Sequence, residues 1–290
     1  MIDLHLHSTG SDGSDTPTQL IDKALALNLK AIALTDHDTI SGLDEFLSYG
    51  EEKRLIVIPG IEISIRHEPK RELIDIHILG LNIDYKSIKL INTIQEQIKG
   101  RRTQKKAICK RLRDEFGYHI TFEEVETLAG SNVIGRPHIV EIMKRNNPDK
   151  VKGKTKDELF KMISIGGAAF VDREVELNLE ESIELINSVG GVPILAHPGI
   201  YNVFDKRKFV QRCIDVGIKG IEIEYTYAKN RPFFETDKAE WAQKYLPDYY
   251  RKLAKDFNLI KSGGSDYHGE KKNIRIGEAN VPDDYLKNFI

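Results

Sequence analysis

Residues 2–13 read IDLHLHSTGSDG, a short run of strand-forming apolar residues that ends in a His-x-His pair and a glycine-containing turn. Six similar apolar runs follow, so we predict seven β-strands, at residues 2–6, 31–35, 56–59, 74–81, 192–196, 220–224 and 260–264. Amphipathic stretches at residues 18–29 and 40–54 follow the first two runs and predict helices. Strands that alternate with helices indicate an α/β fold around a parallel sheet or barrel, and seven strands nearly close a barrel.

The composition excludes several classes of protein. The 290 residues carry 43 Lys and Arg against 45 Asp and Glu, so the chain lacks the basic excess of a protein that coats nucleic acid non-specifically. No run approaches the ~20 apolar residues that cross a bilayer, and the opening residues do not resemble a secretion signal. Cys109 and Cys213 form no Cys-x-x-Cys pair, which argues against a cysteine zinc site. We therefore expect a cytoplasmic enzyme with no membrane association and no obligate protein partner.

Residues 82–191 separate the fourth and fifth predicted strands, and a connection of this length predicts a helical insertion subdomain. The barrel would then comprise residues 1–81 and 192–290, and the insertion would contain helices near residues 85–116, 121–129, 136–146 and 155–165. Basic residues crowd the first of these helices, either as a solvated surface or as a positive wall that gathers phosphate-bearing substrates. They are Lys99, Arg101, Arg102, Lys105, Lys106, Lys110, Arg111 and Arg113.

Residue types that bind metal ions stand at the ends of nearly all the predicted strands. His5 and His7 are two residues apart, so an extended strand projects both side chains to the same side. The carboxyl ends of parallel barrel strands meet on one face, which would bring these side chains together. Such a histidine taken alone is more often a buried residue with a partner, and recurrence at six strands is what favours metal binding. The nine candidate ligands are His5, His7, Asp12, His37, Glu62, His77, His197, Asp266 and His268.

The chemistry of these ligands indicates the metal and the substrate. Imidazole with carboxylate and no thiolate suits Mn, Fe, Zn or Mg. At roughly three protein ligands per open catalytic ion, nine ligands predict three divalent ions. Three carboxylates carry −3 against +6 from three ions, and the resulting charge of about +3 suits a phosphate substrate.

The order of these motifs resembles the polymerase and histidinol phosphatase (PHP) family of metal-dependent phosphoesterases. The resemblance rests on His5-x-His7, Ser11-Asp12-Gly13, Thr35-Asp36-His37, Glu62, His77, Ala196-His197-Pro198 and Gly264-Ser265-Asp266-Tyr267-His268. It implies a distorted seven-stranded (β/α)7 TIM-like barrel with a trinuclear metal site. The ligands implied are His5, His7, Glu62 and Asp266 for the first ion, Asp12, His37 and His268 for the second, and a bridging Glu62 with His77 and His197 for the third.

The motif Gly135-Arg136-Pro137-His138 resembles the branch of this family that includes 3′,5′-bisphosphonucleotide phosphatases and 5′-to-3′ exoribonucleases. The resemblance implies that Arg136 and His138 contact the substrate phosphate, Arg136 as a bidentate donor and His138 also as a candidate to protonate the leaving oxygen. The alternative is structural, with Pro137 starting a helix and Arg136 capping a neighbour. We expect a hydrolase that cleaves a phosphate ester of AMP, a 3′,5′-bisphosphonucleotide or short RNA by a metal-activated hydroxide.

Three other functions fit the sequence less well. Histidinol phosphatases of the family tend to have histidine where this chain has Asp12, so that activity is less expected. Metal-dependent amidohydrolases also begin with His-x-His but bridge their ions with a strand-four lysine, and this chain has His77 there. A non-catalytic metal-binding module is disfavoured because structural zinc sites are usually closed by thiolates. The aromatic and charged segment at residues 225–250 is left without a role.

Overall fold

The computed structural model describes residues 1–130, 133–234 and 236–290. The chain divides into two compact units, residues 1–94 with 177–290 (the barrel unit) and residues 95–176 (the insertion unit). The insertion unit is narrower than the predicted 82–191, because the helix at Leu179–Ser188 packs on the barrel. Its Ile186 lies so close to Gly80 that a Cβ there would come within 2.9 Å of it.

The barrel unit is built on seven strands in sequential order. They are β1 (Ile2–Leu6), β2 (Ala31–Leu34), β3 (Ile56–Ser64), β4 (His77–Leu81), β5 (Val192–Leu195), β6 (Gly220–Tyr225) and β7 (Ile260–Gly264). The His7 amide donates to the Tyr267 carbonyl (3.0 Å), and the Asp266 amide donates to the His5 carbonyl (3.0 Å). These bonds join β1 to the segment after β7, so the sheet is a nearly closed barrel and the predicted fold class is confirmed.

The parallel pairing of the predicted barrel does not extend to β4, which pairs antiparallel with both β3 and β5. The other neighbouring strands pair parallel. Strand β3 continues past the predicted end at residue 59 to Ser64, and β4 begins at His77 instead of residue 74. Residues 65–76 connect them with one short 3-10 helix at Pro69–Arg71 and no α-helix, whereas a parallel crossover usually contains an α-helix. Because β4 runs in the opposite direction, its first residue lies at the edge where its neighbours end.

The described residues also form α-helices. They are α1 (Pro17–Ala26), α2 (Leu43–Lys53), α3 (Ile88–Asp114), α4 (Phe122–Ala129), α5 (Arg136–Asn146), α6 (Pro148–Val151), α7 (Lys156–Met162), α8 (Leu179–Ser188), α9 (Lys206–Val216) and α10 (Ala239–Asp256). Each predicted helix is present and is as long as predicted or shorter. Helix α1 begins one residue before its predicted start, at Pro17. For α1, the Thr16 hydroxyl and the Gln19 side chain cap the first turn reciprocally. Within the described ranges, no helix has the length and apolar character needed to span a membrane.

Each unit has its own apolar core. In the barrel unit, Leu4, Ala33 and Leu79 are completely buried, and Phe289 from the end of the chain packs into the same cluster. The Ile2 amide donates to the Val281 carbonyl (3.3 Å), so the C-terminal segment lies against the beginning of β1. In the insertion unit, Ile108 and Leu112 of α3 pack with residues of α4, α5 and α7. The amino-terminal end of the barrel strands is thus filled with apolar side chains, and polar groups gather at the opposite end.

Candidate metal centre

The structure brings all nine predicted ligands together at one end of the barrel. Their ligand atoms form four overlapping groups within which all atoms lie no more than 4.8 Å apart. The groups are His7, Asp12, His37 and His268; His5, His7 and Asp266; His5, Glu62 and His197; and His37, Glu62 and His77. These groups overlap the three ligand sets that the family resemblance implied, and His5, His7, His37 and Glu62 each belong to two groups.

Strand geometry explains how the side chains converge. His5 and His7 project from the same side of the first strand, with their Nε2 atoms 3.1 Å apart. Glu62 lies near the carboxyl end of β3, and His77 is the first residue of β4. Because β4 runs antiparallel to β3, its first residue lies beside the end of β3. His197 follows β5 with a φ of 26°, and Asp266 follows β7 with a φ of 56°. Positive φ is uncommon for residues other than glycine, and these two residues each present a candidate ligand from such a position.

Glu62 is the centre of the cluster. Its side chain is completely buried, and its Oε1 lies 2.8 Å from His77 Nδ1 and 2.9 Å from His197 Nε2. Its Oε2 faces three more imidazoles: His37 Nδ1 at 2.9 Å, His7 Nε2 at 3.2 Å and His5 Nε2 at 3.3 Å. Burial alone would raise the pKa of Glu62, but His37, His5 and His77 outweigh it and hold this pKa well below its usual value. The carboxylate is therefore ionised and surrounded by ligand nitrogens.

Asp266 presents its two oxygens to different partners. Its Oδ1 lies 3.2 Å from His7 Nε2 and 3.3 Å from His268 Nδ1. Its Oδ2 accepts hydrogen bonds from the Tyr225 hydroxyl (2.7 Å) and from Lys272 Nζ (2.8 Å). Burial opposes ionisation of Asp266, but Lys272 and the histidines outweigh it and keep the pKa of Asp266 well below its usual value. One oxygen is thus held by the protein while the other points at the imidazoles.

Asp12 reaches the cluster from the loop after β1. Its Oδ1 lies 3.3 Å from His268 Nε2 and 4.0 Å from His37 Nε2. Lys271 Nζ donates to the backbone carbonyls of Asp12 (2.8 Å) and Gly13 (3.1 Å), which fixes the loop. Burial raises the pKa of Asp12, but His268 and His37 outweigh it and lower the pKa well below its usual value.

Sequence reasoning missed a buried carboxylate on β6. The Glu222 side chain is completely buried, accepts a hydrogen bond from the His197 amide (2.7 Å) and lies 3.1 Å from His5 Nδ1. Burial lowers the pKa of His5, but Glu222 and Glu62 outweigh it and raise this pKa well above its usual value. The two acids of a buried strand, Glu222 and Glu224, were the available signal. Tyr225 and Lys272, which hold Asp266, were also missed.

The aspartates that flank the ligands hold loop backbone and hydroxyl groups. Asp36 accepts hydrogen bonds from the Ser8 amide (2.8 Å) and from the Ser8 and Ser11 hydroxyls. Asp38 accepts from the Ser64 amide (2.8 Å), and Asp3 accepts from the Ser265 amide (2.9 Å). These bonds fix the turns that carry the ligands, as turn capping does.

Arg136 and His138 belong to the insertion unit, at the start of α5. Arg136 is the first residue of the helix, and its Nη1 donates to the Ser164 hydroxyl (3.1 Å). His138 is 6% exposed, and its Nδ1 accepts a hydrogen bond from the Gly135 amide (3.1 Å). Because Nδ1 is the acceptor, the neutral ring carries its proton on Nε2. Pro137 stands in the first turn of the helix, where proline is favoured.

The chain is similar in sequence to several proteins of known function. It is 32% identical over 283 residues to a 5'-3' exoribonuclease of Haemophilus influenzae, covering 95% of this chain and 93% of that protein. It is 28% identical to a phosphoribosyl 1,2-cyclic phosphate 1,2-diphosphodiesterase of Eggerthella lenta (92% and 94% covered). It is 30% identical to a 3',5'-nucleoside bisphosphate phosphatase of Chromobacterium violaceum (77% and 76% covered).

The fold is also found among solved structures. A protein of Bifidobacterium adolescentis, assigned as a metal-dependent phosphoesterase, superposes with a TM-score of 0.79 at 24% identity and covers 99% of this chain and 94% of its own. The family model of the PHP domain matches residues 3–159. With this match and the 32% identity to the Haemophilus influenzae protein, the chain belongs to the PHP domain family.

Proposed function

We propose that this protein is a metal-dependent hydrolase of phosphate esters that acts on nucleotides or short oligonucleotides. The observation that carries the proposal is the environment of Glu62 Oε2. This buried oxygen has three imidazole nitrogens within 3.3 Å, yet it makes no hydrogen bond to any residue in the described part of the chain. A buried carboxylate oxygen in contact with several nitrogens suits a ligand that bridges cations.

Other atoms of the cluster fit the same interpretation. His7 Nδ1, Asp12 Oδ1 and His197 Nδ1 are buried without a hydrogen-bond partner among the described residues. Buried polar groups are nearly always satisfied, and each exception calls for a ligand or water. The donor set is six imidazoles and three carboxylates, which suits Mn, Fe, Zn or Mg. The residues present therefore fit divalent cations.

We assign three ions to the cluster. His5, His7, Glu62 and Asp266 would hold the first ion, Asp12, His37 and His268 the second, and Glu62, His77 and His197 the third. Support comes from the ligand groups, in which His5, His7 and Asp266 form one group and Asp12, His37 and His268 lie in another. When bound, divalent ions would neutralise the charge on phosphoryl oxygens and would lower the pKa of a coordinated water, which makes hydroxide available at neutral pH.

The protein's own groups prepare this chemistry by fixing the ligands. Glu222 accepts a hydrogen bond from the protonated Nδ1 of His5, which leaves Nε2 as the ligand atom. Tyr225 and Lys272 occupy Asp266 Oδ2, so Oδ1 is the oxygen presented to an ion. Arg136 is proposed to bind the substrate phosphate with its guanidinium group. His138 is proposed to contact the phosphate and to supply a proton from Nε2 to the leaving oxygen.

The names of the relatives support a substrate that contains a phosphorylated nucleotide or ribose. They include an exoribonuclease, a cyclic phosphate diesterase and a nucleoside bisphosphate phosphatase. Our proposal is a phosphate ester of the AMP or 3′,5′-bisphosphonucleotide type, or of a short RNA. The cytoplasmic location expected from the sequence stays a prediction.

A substrate panel tests the proposal. Metal-replete protein would be assayed with AMP, adenosine 3′,5′-bisphosphate, 5′-phosphorylated oligoribonucleotides, histidinol phosphate and p-nitrophenyl phosphate, beside an Asp12→Ala control. We expect hydrolysis of at least one nucleotide or oligonucleotide substrate, and at least a hundredfold loss in the control. Hydrolysis of histidinol phosphate alone would refute the substrate assignment. Absence of all hydrolysis in fully metallated protein would refute the catalytic proposal.

A further inference from the structure

Within the described ranges, the exposed aromatic side chains are confined to one part of the barrel unit. They are Phe204, Phe234, Trp241, Tyr245 and Tyr249. Trp241 and Tyr245 lie on helix α10, and each is 49% exposed. The proposed function leaves residues 225–250, to which these two rings belong, without a role.

The aromatic rings on and before α10 follow one another as a ladder. The ring centres of Phe233 and Trp241 lie 6.4 Å apart, and those of Trp241 and Tyr245 lie 6.0 Å apart with an interplanar angle of 34°. Trp241, Tyr245 and Tyr249 recur every four residues and therefore share one face of the helix. We call Phe233, Trp241, Tyr245 and Tyr249 the aromatic ladder. Contiguous exposed apolar patches of this kind mark binding sites.

The ladder begins beside the candidate metal centre. Gln243 lies between Trp241 and Tyr245 in the first turns of α10. Its Nε2 donates to the carbonyl of Tyr225, the last residue of β6 (3.0 Å). The hydroxyl of the same Tyr225 donates to the candidate ligand Asp266 (2.7 Å). A substrate that extends out of the centre therefore meets the ladder within the barrel unit.

The composition of the ladder favours nucleic-acid bases over a protein partner. Among the described residues of 201–258, every exposed large apolar side chain is aromatic, and none is aliphatic. The centre of a protein interface is a closed apolar area that is depleted of charge. Here the charged residues Lys244 and Asp248 are exposed in the same part of α10. Separate ring faces suit stacking instead, because every base offers a π face to an aromatic side chain.

The charges beside the ladder fit an anionic strand that is held mainly by its bases. Lys244 Nζ lies 5.3 Å from the centre of the Tyr245 ring, so a cation stands beside a ring on which a base would stack. Lys252 follows Tyr249 by three residues on the same helix and pairs with Asp256 (2.9 Å). Because charges of both signs flank the rings, we expect few phosphate contacts and a binding energy that comes mostly from stacking.

We propose that the aromatic ladder binds single-stranded RNA by stacking its bases, and that it holds the part of the strand that follows the nucleotide in the metal centre. The inference rests on the proposed function, because it concerns the oligonucleotide form of that substrate. Stacking tolerates any base, so the ladder accepts strands without regard to sequence. Each stacked base contributes roughly 5- to 150-fold to the affinity. A mononucleotide ends at the centre and gains none of this.

Trp241 is the only tryptophan of the chain, so its fluorescence reports directly on stacking. The full chain, stripped of ions with a chelator, would be titrated with a 5′-phosphorylated oligoadenylate octamer, with an abasic octamer of the same backbone and with AMP. We expect saturable quenching by the oligoadenylate, and binding at least tenfold weaker for the abasic strand and for AMP. With one or two phosphate contacts, the logarithm of the affinity should fall against the logarithm of the salt concentration with a slope of about −0.7 to −1.4.

Variants of Tyr245 keep the fluorescent reporter in place. Tyr245→Ala should weaken oligoadenylate binding roughly 5- to 150-fold, whereas Tyr245→Phe keeps the ring and should stay within threefold of the parent protein. Tyr49→Ala is the matched control, because Tyr49 lies on α2 and also has a lysine over its ring, with Lys53 Nζ at 4.8 Å. The control should bind within twofold of the parent protein. In metal-loaded protein, Tyr245→Ala should raise KM for the octamer by the same factor and leave the hydrolysis of p-nitrophenyl phosphate unchanged.

Equal binding of the abasic strand would overturn the proposal, as would a Tyr245→Ala variant that is folded by circular dichroism and binds the octamer within twofold of the parent protein. Emission of Trp241 that changes with protein concentration in the absence of RNA would also overturn it, because a second copy of the chain would then cover the ladder. Quenching by oligoadenylate in metal-free protein, without any hydrolysis after metal loading, would refute the proposed function but support RNA binding by the ladder. The two failures are therefore distinguishable.

Discussion

Replacing Glu222 by glutamine tests whether the buried carboxylate on β6 controls the metal affinity of the centre. Glu222 lies 3.1 Å from His5 Nδ1 and accepts from the His197 amide (2.7 Å). Both partners donate, since His5 must carry its proton on Nδ1 to present Nε2 as a ligand. A carboxylate satisfies both donors. A glutamine of the same shape has one acceptor oxygen, and its NH2 group would face the other donor.

The structure sets the size of the effect. If the glutamine oxygen keeps the His197 amide, its NH2 group favours the His5 tautomer that is protonated on Nε2 and cannot ligate. If the oxygen keeps His5, the buried His197 amide loses its acceptor. Loss of one charge-assisted hydrogen bond costs about 1.5–3 kcal/mol. Outer partners of metal-bound histidines typically contribute about 10- to 100-fold to metal affinity. We therefore expect Glu222→Gln to weaken binding of the tightest ion by about 10- to 100-fold.

Competition with a chromophoric chelator measures this affinity for Zn²⁺ and Mn²⁺, and circular dichroism establishes that the variant is folded. Glu240→Gln is the control, because it removes an exposed carboxylate from α10. Glu222→Asp retains the charge but shortens the side chain, and we expect it to fall between the parent protein and Glu222→Gln. A folded Glu222→Gln that binds both ions within twofold of the parent protein would show that Glu222 only fills space in the barrel.

Three further outcomes are expected. Addition of Mn²⁺ at about 100 times its dissociation constant should stabilise the folded protein by about 2.7 kcal/mol per ion. Differential scanning fluorimetry measures the resulting rise in melting temperature. A melting temperature that changes with neither Mn²⁺ nor chelator would contradict the assigned centre. Arg136→Ala should raise KM about tenfold with the metal content unchanged by elemental analysis, whereas loss of metal would mean that Arg136 supports the centre itself. Tyr225→Phe removes one of two hydrogen bonds to Asp266 Oδ2 and should cost about 1 kcal/mol of metal binding, roughly a fivefold change in the chelator competition; a loss above a hundredfold would indicate that Lys272 cannot hold the carboxylate alone.

The strands could be predicted because each is a short apolar run between turn residues. The predicted bounds of β1 and β7 match the structure, at Ile2–Leu6 and Ile260–Gly264. The predicted β3 stopped at residue 59 because Pro59 and Gly60 are residues that normally end a strand. The observed strand continues to Ser64. In the structure Gly60 allows a close backbone approach, since a Cβ there would lie 2.9 Å from the Leu34 carbonyl oxygen. Gly60 therefore marks a close contact between two strands and does not end β3.

The positions of the candidate ligands were predictable because strand ends converge, whereas their partners depend on the three-dimensional pairing. Glu222 faces His5 across 217 positions of sequence, and no local pattern connects them. Helical periodicity puts Arg101 and Lys105 on one face of α3, but it does not show that residues 171–175 cover that face. Residues that are distant in sequence determine whether a helix face is exposed, so the charge pattern alone did not predict that these two side chains are buried.

The reversed direction of β4 is what allows Glu62 to hold a central place. Ser64 pairs with His77 and Glu62 pairs with Leu79, so Glu62 and His77 are diagonal neighbours on one face of the antiparallel pair. Their side chains meet at 2.8 Å. A slip of one residue in this pairing would turn one of the two side chains to the opposite face of the sheet. A parallel β4 would begin at the far end of the barrel and carry His77 with it. The connection at residues 65–76 contains no α-helix that would return the chain to the far end, as a parallel crossover usually does, so the path of this connection determines which histidines reach the bridging carboxylate.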